Sequence, residues 1–225
     1  MDIKEAILCR HSVREYQDKP IENNIVNELK KEIDYCNKTG DLNIQLVTNS
    51  PDAFNCFLSR YGKFKNVKNY IALVGKTGDN LDEKVGYYGE HLVLKAQMLG
   101  LNTCWVGLSY SKKKSSIEIN DNERLVCVIS LGYGLSQGLP HKSKDINSVC
   151  KITQNTPEWF INGVKSALLA PTAINQQRFY FSQQDGVVSV KCGTFFYTKV
   201  DMGIARYHFE VGAGLNNFKW EKSLI

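Results

Sequence analysis

The stretch EKVGYYGEHLVLKAQMLGLNTCWVG, Glu83 to Gly107, decides how this chain folds. Val85, Tyr88, Leu92, Ala96 and Leu99 recur at helical spacing and share one face. Tyr87, Leu94, Met98 and Leu101 make a second apolar row about one step round the axis. A helix apolar along two rows packs on more than one side, so it belongs at the centre. Gly100 closes it, because glycine enters the left-handed conformation of a helix end most easily. Leu101 to Gly107 then leaves as a mostly apolar exit loop carrying Trp105, and the functional question is whether that loop lines a site.

The helix has an echo in VDMGIARYHFEVGAGLNNFKW, Val200 to Trp220. Gly86 and Gly203, His91 and His208, and Ala96 and Ala213 each stand 117 residues apart. After a three-residue shortening, Gly100-Leu101-Asn102 matches Gly214-Leu215-Asn216. The 117 spacing also pairs the strand-like run Tyr70 to Val74 with Val187 to Lys191, each the same distance ahead of its helix. A shared strand-to-helix register implies an internal duplication. Half 1 covers about residues 1–150 and half 2 about 151–225. No linker or low-complexity tract separates them, so residues 1–225 are expected to form a single unit with a pseudo-two-fold axis.

A chain of 225 residues that is 43% hydrophobic and 23% charged has the make-up of a soluble globular protein with a sizeable core. No run reaches the length of a membrane span, and Met1-Asp2-Ile3-Lys4 lacks the start of a signal peptide. The seven cysteines are scattered, odd in number and never spaced as Cys-x-x-Cys. That argues against a disulfide framework or a zinc site and for a reducing cytoplasm. The mild net charge of +5 suits an anionic ligand as well as nucleic acid, and no RNA- or DNA-binding module is visible.

In chain order, Asp2 can cap a short helix ending in Cys9-Arg10-His11-Ser12-Val13-Arg14. Two arginines and a serine within five residues offer planar forks of donors and a hydroxyl, which fit a phosphate. Arginines at a helix end more often meet its carbonyl dipole or solvent. A helix over Asn24 to Cys36, a strand over Asn43 to Thr48, a short helix over Ala53 to Tyr61 and a strand over Tyr70 to Val74 follow. Lys112-Lys113-Lys114 reads as a solvated face and Leu125 to Leu131 as a buried strand. Thr156-Pro157-Glu158 starts a helix that breaks at Pro171, with threonine as its cap. Phe179 to Ser182 and Val187 to Lys191 form a hairpin around Gln184-Asp185-Gly186. No Cys–His or Ser–His–Asp set is recognisable, and His91 and His208 read as core or helix-contact histidines.

Four passages together resemble the nitroreductase family of FMN-dependent oxidoreductases: Arg10-His11-Ser12-Val13-Arg14, Gly86 to Gly107, Leu131-Gly132-Tyr133-Gly134, and Ala170-Pro171-Thr172-Ala173-Ile174-Asn175-Gln176-Gln177. The resemblance implies an α+β fold, a mixed sheet flanked by helices, with FMN at an interface between two protomers. It implies a flavin reduced by NADH or NADPH and reoxidised by nitro compounds, quinones or similar acceptors through ping-pong hydride transfer. Arg10, Ser12 and Arg14, with His11 beside them, match the segment that grips the FMN phosphate and ribityl chain. Trp105, Val106 and Gly107 match a loop beside the flavin ring. Pro171, Thr172, Ala173 and Asn175 match the segment that meets the ring from a partner protomer. Lys142 and Lys144 stand where the family often has a basic pair near the phosphate. No catalytic side chain and no metal ligand is implied.

One departure matters. The family sets its Ala-Pro-(Ser/Thr)-Ala-x-Asn segment soon after Arg-x-Ser-x-Arg, whereas here it begins at Ala170. The proline usual after the final glutamine is replaced by Arg178. A subgroup of nitroreductases with two fused halves in one chain explains the displacement and the echo together. The expectation is then a monomer with dimer-like internal symmetry and one composite FMN site built in cis, with no membrane or nucleic-acid partner. Two other readings stay open: a flavin-binding storage or sensor protein with little turnover, and a scaffold that has lost the flavin.

Overall fold

The computed structural model describes residues 1–224. Its elements are α1 (Ile3–Cys9), α2 (Asn23–Gly40), β1 (Gln45–Val47), α3 (Phe57–Tyr61), β2 (Asn69–Lys76), α4 (Leu81–Met98), β3 (Asn102–Val106), β4 (Glu123–Gly132), α5 (Glu158–Ala167), β5 (Phe179–Gln184), β6 (Val187–Cys192), α6 (Thr198–Ala213) and β7 (Lys219–Trp220). They divide between two compact units. One comprises Met1–Leu8, Asp82–His91 and Pro140–Ile225, and the other Cys9–Leu81 and Leu92–Leu139.

The unit that begins at Cys9 is built on an antiparallel sheet in the order β1-β2-β4-β3. Tyr70, Ala72 and Val74 of β2 alternate onto one face with Phe54, Phe64, Val106 and Val128. Ser12 bridges Thr103 in parallel, so the extended chain after α1 adds a mixed edge beside β3. Leu101 to Gly107, expected as an exit loop, is largely strand: Asn102 to Val106 pair with Gly132 to Val128 of β4. The cause lies in the helix end. Leu101 N–H bonds Ala96 O and Gly100 N–H bonds Gln97 O, with Gly100 at φ +82, a Schellman closure that turns the chain into the sheet.

In the other unit, β5 and β6 pair as a hairpin whose turn residues Asp185 and Gly186 both have positive φ, and β7 joins β6 in parallel. Phe209 of α6 stacks on Phe181 at 4.9 Å and meets Phe160, Phe218 and Trp220 edge-on or tilted. Gly163 of α5 leaves room for that ring, since a Cβ there would lie 2.6 Å from it. The expected cap of α5 is corrected. Thr156 Oγ1 accepts from Thr153 N–H, so its hydroxyl serves the preceding turn and Pro157 stands at the N-cap.

The first half of α4 crosses α6 backbone to backbone within this unit. A Cβ at Gly86 would strike the Val200 carbonyl, and one at Gly203 would strike the Glu83 carbonyl. The polar pairs are reciprocal too: His91 Nδ1 meets Tyr207 Oη at 2.8 Å and His208 Nε2 meets Glu90 Oε1 at 2.8 Å. Glu83 and Val200, Gly86 and Gly203, Glu90 and Tyr207, and His91 and His208 are each 117 residues apart. Each contact is therefore matched by one in which the two helices exchange roles. His208 and Glu90 are both 0% exposed, and His208 Nδ1 lies 3.1 Å from Ser166 O, so that nitrogen carries hydrogen. Arg206 donates to Glu83 at 2.7 Å and Tyr87 donates to Glu210 at 2.6 Å. Burial holds the Glu210 carboxyl above its ordinary range although Tyr87 and Trp220 donate to it.

No helix among the described residues is long and apolar enough to cross a membrane, and no cluster of potential metal ligands occurs among them. The crossing gives a direct test. Gly203→Ala places a methyl group against a carbonyl that cannot move without shifting a helix. A loss of about 1–3 kcal/mol in urea unfolding is expected. Gly100→Ala, with no atom near its Cβ but a left-handed φ, should lose only about 1 kcal/mol. Equal losses would mean that the crossing is not tight.

Candidate functional site

The first set of site residues belongs to the unit that begins at Cys9. Arg10 to Tyr16 runs extended beside β3, with Val13 N–H donating to Thr103 O at 3.0 Å. Tyr16 anchors it from below: its hydroxyl donates to Val13 O at 2.7 Å and lies 2.8 Å from Ser130 Oγ. Burial pushes the Tyr16 phenol well above its ordinary range, so it stays a donor. Lys65 N–H bonds Arg14 O, and Tyr16 N–H bonds Lys65 O, which fixes the other side. The two arginines differ in setting. Arg10 is only 4% exposed, whereas Arg14 is exposed. Burial raises the Cys104 thiol, partly offset by Arg14, the Ser12 hydroxyl and Arg10. His11 packs its Cβ toward Gly138, which has a positive φ and no room for a side chain.

Arg14 meets Trp105, Val106 and Gly107 at an open cleft of about 400 Å³. Its other wall is Tyr61 to Phe64 together with Ser109. A Cβ at Gly62 would lie 2.7 Å from Ser109 Cβ, so glycine lets this wall close up, and Lys63 follows in a left-handed conformation. The lining residues include two cations, Arg14 and Lys63, three aromatic rings and no carboxylate. The sequence reading missed Tyr61, Gly62, Lys63, Phe64 and Ser109 as wall residues. A lone lysine in a loop carries no periodic signal, and the sole hint was Gly62-Lys63 just after a short helix.

The second set belongs to the other unit. Asn175 Nδ2 and Gln177 Nε2 both donate to Lys142 O at 2.9 Å. Lys144 N–H donates to Gln177 Oε1 and Lys144 Nζ to Gln177 O, each at 2.9 Å. The lysine pair is thus tied to the Pro171 to Gln177 turn, and the Lys144 ammonium is spent on a backbone carbonyl. Ile174, Asn175 and Gln177 all have positive φ, 47°, 56° and 43°. Such backbone costs on the order of 1–3 kcal/mol per residue and persists only where neighbours impose it. Asp201, in the first turn of α6, does so: Ala173 N–H donates to Oδ1 at 2.9 Å and Gln176 Nε2 to Oδ2 at 2.6 Å. The sequence reading also missed Asp201, since an acid in a first helical turn is unremarkable there.

Asp201 is 4% exposed, and burial pushes its carboxyl up to about 6 from an ordinary 3.8, against the two donated bonds. Between those values the folded protein holds a proton that the unfolded chain has released. Stability therefore falls as pH rises through that window, by about 3 kcal/mol in full. Asp201→Asn keeps an oxygen for Ala173 and removes the titration. Its new amide can donate to the buried Gln176 Oε1, which has no hydrogen-bond partner among the described residues. Urea midpoints at pH 4 and pH 7 should separate less in the variant than in the wild type, and an equal separation would refute this assignment.

The fold has close relatives in shape. A “putative nitroreductase” from Thermotoga maritima MSB8 aligns at TM-score 0.67 and 21% identity, covering 94% of this chain and 83% of that one. A “putative nitroreductase in complex with FMN” from Desulfovibrio desulfuricans aligns at 0.54 and 14%, over 70% and 99%. A “Putative NADH dehydrogenase/NAD(P)H nitroreductase” from Parabacteroides distasonis ATCC 8503 aligns at 0.51 and 21%, over 68% and 98%. At these identities the likeness is one of fold. No curated protein matches the chain. The family model described as “Putative TM nitroreductase” matches residues 2–213, nearly the whole length. The chain belongs to that nitroreductase family, as its four motifs and its α+β architecture lead one to expect.

Proposed function

We propose that the chain is an FMN-dependent oxidoreductase of the cytoplasm, reduced by NADH or NADPH, that reduces nitro compounds, quinones or similar small acceptors. The observation that carries this reading is the cleft at which Arg14 and Lys63 face Trp105 to Gly107 without a carboxylate in the lining. A flat, anionic ligand suits two cations and three aromatic rings. When bound, FMN supplies the redox chemistry, taking hydride from the nicotinamide and giving electrons to the acceptor. The task of the chain is to bind and orient it.

In this reading Arg10, Ser12 and Arg14, with His11 beside them, hold the phosphate and ribityl chain, and Lys63 adds a cation. Trp105, Val106 and Gly107 border the ring. Pro171, Thr172, Ala173 and Asn175 meet the ring, in a turn that Asp201 holds ready. Of the basic pair, Lys142 keeps an exposed side chain for the phosphate, whereas Lys144 serves mainly to brace the turn. No protein acid–base pair is required, and the rings of His91 and His208 are engaged by Tyr207 and Glu90.

We further infer that the chain is a fused pair of halves acting as a monomer with one FMN. The reciprocal contacts of α4 and α6 support this, because an isologous contact is what a symmetric dimer interface contains. So does the 117 spacing that relates β2 to β6, each the strand ahead of its helix.

Freshly purified protein is expected to be yellow and to bleach on addition of NADH or NADPH. A yellow protein that neither donor bleaches would be a binder without turnover. Arg14→Ala should weaken FMN binding roughly ten- to a hundredfold, the worth of a charge-assisted bond, with its unfolding midpoint unchanged because the side chain is exposed. Arg10→Ala should lower both affinity and stability. Unchanged affinity in both would remove this segment from the site. Double-reciprocal plots should be parallel, and intersecting lines would refute a ping-pong path. Sedimentation with flavin quantitation should give a monomer holding one FMN, and an obligate dimer or two flavins would refute the fused-halves reading alone.

A further inference from the structure

In the unit that begins at Cys9, segments 51–68 and 107–117 carry Arg60, Lys63, Lys65, Lys68 and Lys112 to Lys114 against one carboxylate, Asp52. Glu15 and Asp18 pair with Lys65 and Lys68. Arg60, Lys63, Lys112, Lys113 and Lys114 are exposed and make no ion pair among the described residues. A lysine run by itself is a solvated face. Here the two segments are bound side by side at the Arg14 cleft. Ser111 N–H, just ahead of the lysines, donates to Ala53 O at 2.7 Å, and Lys114 N–H donates to Ser111 O at 3.3 Å. The buried Ser59 hydroxyl bonds Phe54 O and so fastens α3 to the same stretch. Gly62 closes against Ser109 in the cleft wall. With Ser59 turned inward, Phe57, Leu58 and Tyr61 of α3 are left 80%, 52% and 84% exposed, and Leu108 beyond the cleft is exposed as well. The cleft thus has a rim in which apolar side chains alternate with uncompensated cations.

We propose that this rim is the docking surface for an acidic electron-carrier protein, a small protein with a one-electron centre, which exchanges electrons with the flavin assigned to the cleft. The proposal rests on the oxidoreductase reading above and adds a macromolecular partner to it. Charge complementarity selects the occupant. A second copy of this chain meeting the rim about a two-fold axis would set these cations against the same cations. A nucleic acid would use the cations but gain nothing from Leu58 and Leu108. An acidic protein with an apolar centre to its face satisfies both kinds of side chain, and a partner seated here covers the mouth of a redox cleft. Redox encounters bury little area, below about 1,200 Å², and draw their speed from opposite charges on the two faces. No bond is made between the proteins. Two reduced carriers, each oxidised by one electron, together with one proton from solvent deliver what one hydride delivers.

The test uses a plant-type [2Fe–2S] ferredoxin, an acidic carrier, titrated calorimetrically against the whole chain at about 20 mM and about 200 mM salt. Ferredoxin should bind at the lower salt and at least about tenfold more weakly at the higher. Lys112→Ser/Lys113→Ser/Lys114→Ser should weaken low-salt binding roughly tenfold and flatten the salt dependence, with FMN affinity and bleaching by NADH or NADPH at wild-type values. Phe57→Ser/Leu58→Ser should weaken binding with the salt dependence kept. No binding at low salt, or equal affinity in the lysine variant, would overturn the proposal. So would tighter binding of cytochrome c, a basic carrier, or of a short oligothymidylate. Reduced ferredoxin under argon should bleach the flavin, and a docked ferredoxin that leaves it yellow would overturn the electron-carrier assignment. If the chain takes up no FMN, the oxidoreductase reading fails. Ferredoxin binding to the flavin-free chain then still decides whether the rim docks an acidic protein.

Discussion

The constraint on which the Asp82–His91 and Pro140–Ile225 unit depends is the close crossing of α4 and α6 at Gly86 and Gly203. Each helix presents a carbonyl oxygen where the other would carry its Cβ. That approach sets the spacing at which Glu90 reaches His208 and His91 reaches Tyr207. It also fixes the start of α6, and with it Asp201. Asp201 in turn imposes three left-handed residues on a stretch without glycine. Backbone proximity between two helices is thereby converted into the shape of a turn that precedes Asp201 by 25 to 28 residues.

The unit that begins at Cys9 solves a similar problem differently. The extended run from Arg10 to Tyr16 is anchored by a single buried phenol. Tyr16 is bonded to Val13 O and Ser130, and Ser130 reaches Cys104 O at 3.3 Å. That chain of bonds ties the arginine-bearing segment to β3 and β4 without requiring any side chain of the segment other than Tyr16. Arg14 is left exposed, beside Trp105 in the cleft. A polar network that is fully connected behaves as a rigid support in low dielectric, and one with a member removed does not.

What was legible in the sequence followed from periodicity and from motifs. Val85 to Leu99 at helical spacing gave α4, and Asp185-Gly186 between two β-rich runs gave the hairpin. Asp2 does cap α1, exchanging bonds with Glu5 in both directions. What was not legible depended on partners distant in the chain. Asn102 to Val106 looks like an exit loop because it is short, is preceded by a glycine stop and is closed by Gly107. It is a strand only because β4 lies alongside. Thr156 has the chemistry of a helix cap and is diverted by Thr153, a competition that composition cannot resolve. Lys63 and Asp201 matter through position alone: one stands in a cleft wall and the other beneath a turn, and neither belongs to a pattern.

The division of α4 has a consequence for how the chain comes to be made. Its second half belongs with residues that precede it or follow soon after, Cys9–Leu81 and Leu92–Leu139. Its first half finds Arg206, Tyr207, His208 and Glu210 only after more than a hundred further residues have been joined. On a ribosome, Glu83, Gly86 and Glu90 must therefore wait, at the end of an otherwise settled helix, for the last part of the message to be read. Contacts between residues so far apart form late and slowly. A chain cut short before α6 would display that waiting surface permanently, which makes it a natural point for quality control to tell finished molecules from unfinished ones.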